Sequence, residues 1–184
     1  MHTAIKDAKT RMDKSLESLR LELTKIRTGK ATTALLDGIR VDYYGSLVPL
    51  NQVSNVSVLD AHTLSITPWE KPMVAVIEKA ILEANLGFNP VNDGTNLKVP
   101  VPPPNEERRR DLVKLVKKFG EDAKIAVRNI RRDANDHLKK DQKEKKMSED
   151  QLLDAEDEVQ KLTDNHTKII DDILKYKEEE IMEV

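Results

Sequence analysis

Apolar residues recur three or four positions apart at Ile5, Ala8, Met12, Leu16, Leu19, Leu23 and Ile26. That spacing predicts a helix with one narrow buried stripe, and Gly29 follows where a helix stop is expected. A longer stripe runs through Leu112, Leu115, Val116, Phe119, Ala123, Ala126, Val127, Ile130, Ala134 and Leu138. Its start is marked by Pro102, Pro103 and Pro104, with Asn105 as N-cap and Glu106 and Glu107 facing the positive end of the helix dipole. About 40 residues without a proline make a rod of roughly 60 Å. Ser148 and Gln151 form a capping box for a third helix, whose seam is Leu152, Ala155, Val159, Leu162, His166, Ile169, Ile173 and Tyr176. Three narrow seams, each unable to bury itself alone, predict a three-helix bundle.

Residues 30–104 break that pattern. Ile39, Val41 and Tyr43 alternate as a strand, with one tyrosine of the Tyr43–Tyr44 pair inward and the other outward, and Gly45-Ser46 offers a turn before Leu47 and Val48. Val53, Val56 and Val58 suggest a second strand, Leu64 and Ile66 a third, and Leu97, Val99 and Val101 a last one. Pro72 can open a short helix, Met73 to Ala84, with Val76, Ile77, Ala80, Ile81 and Ala84 as its apolar face. The expected fold class is α+β: an elongated three-helix bundle (1–29 and 105–184) carrying a small inserted α/β domain (30–104) with a β/α/β sandwich-like arrangement. Two crossings join them, Gly29, Lys30 and Ala31 on one side and Pro102, Pro103, Pro104 and Asn105 on the other. Glycine freedom in one and polyproline stiffness in the other predict a hinge.

Composition narrows the function classes. The 184 residues are 35% charged and only 3% aromatic, and they include no cysteine, which excludes disulfides and thiolate chemistry. No apolar run approaches the ~20 residues of a bilayer span, and the polar start lacks a signal peptide's apolar region, so a cytoplasmic protein without membrane contact is expected. The net charge of −2 hides an asymmetry: residues 106–146 hold fifteen Lys/Arg against nine Asp/Glu, whereas residues 148–184 hold four against thirteen. A basic helix is thus followed by an acidic one.

On a helical wheel with Arg109 at zero, Arg131 falls near ~40°, Lys124 near ~60°, Lys117 near ~80°, Arg110 and Arg128 near ~100°, and Lys114 and Arg132 near ~140°. The buried stripe is expected to centre near ~300°. Arginine's planar fork holds phosphate bidentately, so a basic sector along a rod points to nucleic acid. Scarce aromatics disfavour single-strand stacking and favour backbone contacts to structured RNA. The bland alternative is a solvated face of i,i+4 ion pairs.

At this point the sequence itself carries a resemblance. RMDK (11–14), KIRTGKA (25–31), LLDGI (35–39), DYYG (42–45), LGFNP (86–90), VPVPPPNEERR (99–109), AVRNIRRDAND (126–136), SEDQ (148–151) and VQKLTD (159–164) are collinear with bacterial ribosome recycling factors and span nearly the whole chain. The resemblance implies an L-shaped translation factor that binds the post-termination ribosome. With elongation factor G and GTP it would split the subunits and release mRNA and tRNA. It implies a monomer, without cofactor or metal, whose bundle meets large-subunit ribosomal RNA through Arg128 and Arg131, and beyond them Arg132, Arg109 and Arg27. Lys30 stands where the family often has arginine, and the Thr67–Pro72 loop with Trp69 is less typical.

Other residues tempt toward chemistry. His2, His62, His137 and His166 lack metal-ligand spacing, and His166 and His137 read as packed residues. Paired carboxylates such as Glu149-Asp150 diverge by about 100° on a helix and read as a solvated face. No glycine-rich phosphate loop is present to hold GTP. Trp69 reads as a loop anchor. A coiled-coil adaptor remains the second reading, and an enzyme a distant third.

Overall fold

The computed structural model describes residues 1–183. In chain order the elements are α1 (Thr3–Thr24), β1 (Arg40–Tyr43), β2 (Ser46–Pro49), β3 (Ser54–Asp60), β4 (Thr63–Pro68), α2 (Met73–Glu83), β5 (Val91–Asn92), β6 (Leu97–Pro100), α3 (Glu106–Lys143) and α4 (Glu149–Met182), with short 3-10 turns at Thr33–Leu36 and Leu50–Gln52. They sort into two compact units, Met1–Arg27 with Asn105–Val184 and Thr28–Pro104. Each has its own apolar core.

The first unit is a bundle of α1, α3 and α4. Asn105 caps α3 by accepting the Arg108 N–H at 2.7 Å. Ser148 and Gln151 close the reciprocal box of α4 at 3.1 and 2.9 Å. Met12, Val116, Val127, Leu138, Val159, Ile170 and Ile181 are enclosed at its centre. The observed stripes differ from the expected ones in their rotation. On α4 burial passes through Thr163, His166, Ile170, Leu174 and Ile181, while Tyr176 is exposed. A strict three-four alternation keeps a 3.5-residue period; a straight helix drifts from it by ~20° per heptad and by its last turns has left the seam. On α3 the stripe includes Gly120 and Asp141 and leaves Leu115 exposed, so it centres nearer ~340° than ~300°.

The helix α1 ends at Thr24, earlier than expected, and Ile26 is buried beyond it. His166 is packed as expected, between the Leu162 carbonyl at 2.8 Å and Asp13 at 2.7 Å. The packed reading of His137 is corrected: its side chain is 54% exposed, 3.6 Å from Asp141 and edge-on to His2.

The second unit holds a β1–β2 hairpin and an antiparallel sheet in the order β3-β4-β6-β5. Leu64 pairs with Val99 and Ile66 with Leu97, all four fully buried, whereas Lys98 on the opposite face of β6 is exposed. The helix α2 contributes Met73, Val74, Ile77 and Ile81 to the same core. Its expected face is rotated, since Val74 is buried while Val76 and Ala80 are only half-buried, and Ala84 lies beyond the helix end, exposed. The hairpin turn uses Tyr44 and Gly45, with φ of 50° and 92°, rather than Gly45-Ser46. Positive φ at both central positions suits the twist of a two-residue hairpin. The tyrosines divide as expected by burial, with Tyr43 half-buried and Tyr44 exposed, yet both hydroxyls donate to the Glu70 carboxylate at 2.9 Å. Strand β5, two residues long, carried no periodic signal.

Candidate nucleic-acid interface

The basic sector of α3 divides into two parts. Its first part turns toward α4. There Lys124 is half-buried and reaches Asp171 of α4 at 2.6 Å and Glu121 at 3.8 Å. Arg109 lies on the same side, half-buried, with its Nε enclosed and lacking a hydrogen-bond partner. Gly120 sits here too; a Cβ at that position would collide with the Leu174 side chain, which would have to shift to admit it.

The second part is open. Arg128 and Arg132 are exposed and Arg131 is half-buried. Among the described residues, the ion pairs of α3 involve Arg110 with Glu106 (2.6 Å), Lys124, His137, Lys146 and Asp133, but no carboxylate lies within ion-pair distance of Arg128, Arg131 or Arg132. Asp133, adjacent in sequence to Arg132, is held from across the bundle by Arg11 of α1 at 2.9 Å. The three guanidinium groups therefore keep their donors for a ligand. They span ~6 Å of helix axis, and exposed Lys114, Lys117 and Lys139 continue the sector in both directions. Lys139, at ~120° on the same wheel, was legible by that construction but was passed over.

The structure does not bring all five expected arginines together. Arg109 is about 30 Å along the helix from Arg128 and Arg131. Arg27 is exposed at the last position of the bundle's first segment. It follows the end of α1, whose Ser18 and Leu19 line a groove with Phe119, Asp122 and Ala123 of α3, so it lies toward the start of α3 and away from the trio. The bland alternative of i,i+4 pairs holds for Arg110–Glu106 and fails at the trio.

The residues of the two crossings are likewise placed. Thr28, Gly29 and Ala31 are buried and Lys30 is exposed; Pro102, Pro103 and Asn105 are exposed and Pro104 half-buried. Gly29 has φ +82°, and a Cβ on it would stand 2.5 Å from Pro104 Cδ. Glycine here supplies the left-handed backbone as well as the close packing. Trp69 is 65% exposed, against its reading as an anchor, although its backbone N–H donates to the Val53 carbonyl at 3.2 Å. No helix among the described residues is long and apolar enough to cross a membrane.

Comparison with known proteins places this geometry. A family model described as ribosome recycling factor matches residues 19–182. A ribosome-recycling factor of Thioalkalivibrio sulfidiphilus is 59% identical over 179 residues, covering 97% of each chain. One of Bordetella petrii is 56% identical, covering 97% of this chain and 96% of its own. A solution structure of a ribosome recycling factor superposes with a TM-score of 0.73 at 40% identity, covering 98% of this chain and 96% of that one. A second structure, at 44% identity and a TM-score of 0.61 over 98% of this chain and 97% of the other, belongs to models of the T. thermophilus ribosome recycling factor and E. coli elongation factor G on the E. coli post-termination complex.

Proposed function

This chain belongs to the ribosome recycling factor family, and we propose that its bundle docks on large-subunit ribosomal RNA through Arg128, Arg131 and Arg132 of α3. The observation that carries this reading is the carboxylate-free guanidinium trio on a 38-residue helix on which Arg110 and Lys124, by contrast, are tied to acidic partners. Guanidinium forks grip phosphate oxygens with charge-assisted bonds, and an A-form helix offers phosphates and 2′-hydroxyls to such a rod. Arg109 and Arg27, at a distance from the trio, reach RNA at a second contact toward the start of α3.

The small unit, joined through 27–31 and 102–105, receives the push of elongation factor G as it hydrolyses GTP. This protein contributes a lever and turns over no substrate of its own. It acts in the cytoplasm, where the post-termination ribosome releases its mRNA and tRNA as the subunits part. The acidic exposed face of α4 faces away from the RNA, since like charge repels it.

Ribosome co-sedimentation and subunit splitting followed by light scattering, with elongation factor G and GTP, test the reading. Arg131→Ala is expected to weaken ribosome binding about tenfold, because a hydrogen bond to a charged group is worth ~1.5–3 kcal/mol. Affinity should also fall steeply with salt as counterions are released. Salt-insensitive binding to a protein helix instead would favour the coiled-coil adaptor.

A further inference from the structure

We propose that the small unit carries a docking site for an arginine side chain of an extended peptide, in the cavity bordered by the Thr33–Leu36 turn, the start of β3 and Trp69. Every residue of the site belongs to that unit, so the site stands whether or not the bundle grips RNA.

The charge of the lining comes first. The cavity measures about 460 Å³, a size that holds one long side chain and its neighbours. Its polar side chains are one carboxylate, Asp37, and neutral groups such as Asn51 and Asn55; no lysine, arginine or histidine lines it. Asp37 is exposed, and among the described residues no cation stands within ion-pair distance of its carboxylate. A lone carboxylate in a cation-free hollow repels phosphate and attracts a positive group. Trp69 then selects which one. The chain's single tryptophan is 65% exposed at the cavity's border, while its backbone is fixed by the N–H bond to the Val53 carbonyl at 3.2 Å. A guanidinium is planar and weakly hydrated, so it stacks on an indole face while its N–H groups reach a carboxylate. A lysine ammonium, compact and strongly hydrated, stacks less well.

The sheet edge is the reason the arginine arrives on a peptide. Ser54, Asn55 and Val56 of the cavity wall begin β3, the outermost strand of the order β3-β4-β6-β5. The far side of β3 pairs with no strand among the described residues, and Asn55, Ser57 and Val58 are exposed. An open strand edge offers backbone donors and acceptors to an extended chain. The irregularity between Val58 and Asp60 confines such pairing to the first residues of β3, next to the cavity. A peptide laid there sends alternate side chains to one face. One arginine can thus enter the cavity while the peptide backbone bonds the edge.

The single tryptophan is also the reporter. Titrating the full chain with the blocked pentapeptide acetyl-Ala-Val-Arg-Val-Ala-amide should change Trp69 fluorescence saturably. The same peptide with citrulline, isosteric and uncharged, should bind about tenfold more weakly, and the lysine peptide about fivefold. Asp37→Asn should weaken the arginine peptide about tenfold with the melting temperature unchanged, because Asp37 is exposed. Trp69→Ala removes the reporter, so the backbone amide shifts of Asn55 and Val56 follow binding there, and a loss of about fivefold is expected. The absence of any saturable change, equal binding of the arginine and citrulline peptides, or an Asp37→Asn chain as tight as the parent would overturn the site. Free arginine binding as tightly as the peptide, or a bound peptide that shifts no amide of β3, would overturn the peptide assignment.

Discussion

Lys124 and Arg128 stand one helical turn apart on α3, and they do opposite things with the same charge. Lys124 is half-buried against α4, with its ammonium on Asp171 at 2.6 Å. Arg128 is exposed and has no carboxylate within reach. Only ~40° of rotation separates them. A basic sector on a bundle helix is therefore a mixed population: a cation with a carboxylate of the neighbouring helix in reach is consumed in packing, and one without stays free for an anionic ligand. Charge counts along a segment cannot distinguish the two, but burial and partner distances can.

The sharpest way to break this comparison is to remove the free cations. Arg128→Ala with Arg131→Ala is expected to lower ribosome affinity about a hundredfold or more, at ~1.5–3 kcal/mol per lost charge-assisted bond, while the melting temperature stays put. Unchanged co-sedimentation would place the RNA contact elsewhere. Gly120→Ala attacks the opposite edge. The added methyl meets Leu174, and overpacking should cost ~1–3 kcal/mol in denaturant unfolding. Ribosome affinity of the folded fraction should stay near the parent's.

Lys124→Ala is a milder probe of that edge. Its ion pair has one well-exposed partner, so ~0.2–1 kcal/mol of stability is expected, with little loss of RNA affinity. A loss of affinity matching that of Arg131→Ala would merge the two edges into one interface.

The smallest effect concerns acid. Asp13 of α1 lies below its usual value of 3.8, first through its hydrogen bond from His166 and then through Lys9. A depressed carboxyl contributes stability that is present above the unfolded value and is lost as pH falls through the folded one. Parent stability should thus decline as pH drops below about 4, and Asp13→Asn should flatten that part of the curve. An identical acid profile would show that this pair contributes nothing measurable.

Much of the fold was legible because it is local. Asn105 and Ser148 satisfy donors three residues away, so their caps were readable from a handful of letters. The strand alternation of Leu64 and Ile66, and of Leu97 and Val99, marked one buried face for the same reason. The arginine trio was visible as well, since its members share one helix. The errors have a common origin in distance along the chain. Tyr176 was assigned to a seam that a 3.5-residue period predicts and a straight helix abandons. The burial of Lys124 depends on Asp171, and Gly29 depends on Pro104, each far away in sequence.

The sequence by itself determined where α3 and α4 are capped, which residues are cationic, and that three apolar stripes and one insert must share the chain. These follow from interactions among residues a few positions apart. Only the tertiary structure decided how far each helix rotates about its axis, and with it which cations meet carboxylates and which remain free. That choice is made by the simultaneous packing of α1, α3 and α4, and no single segment contains the information to make it.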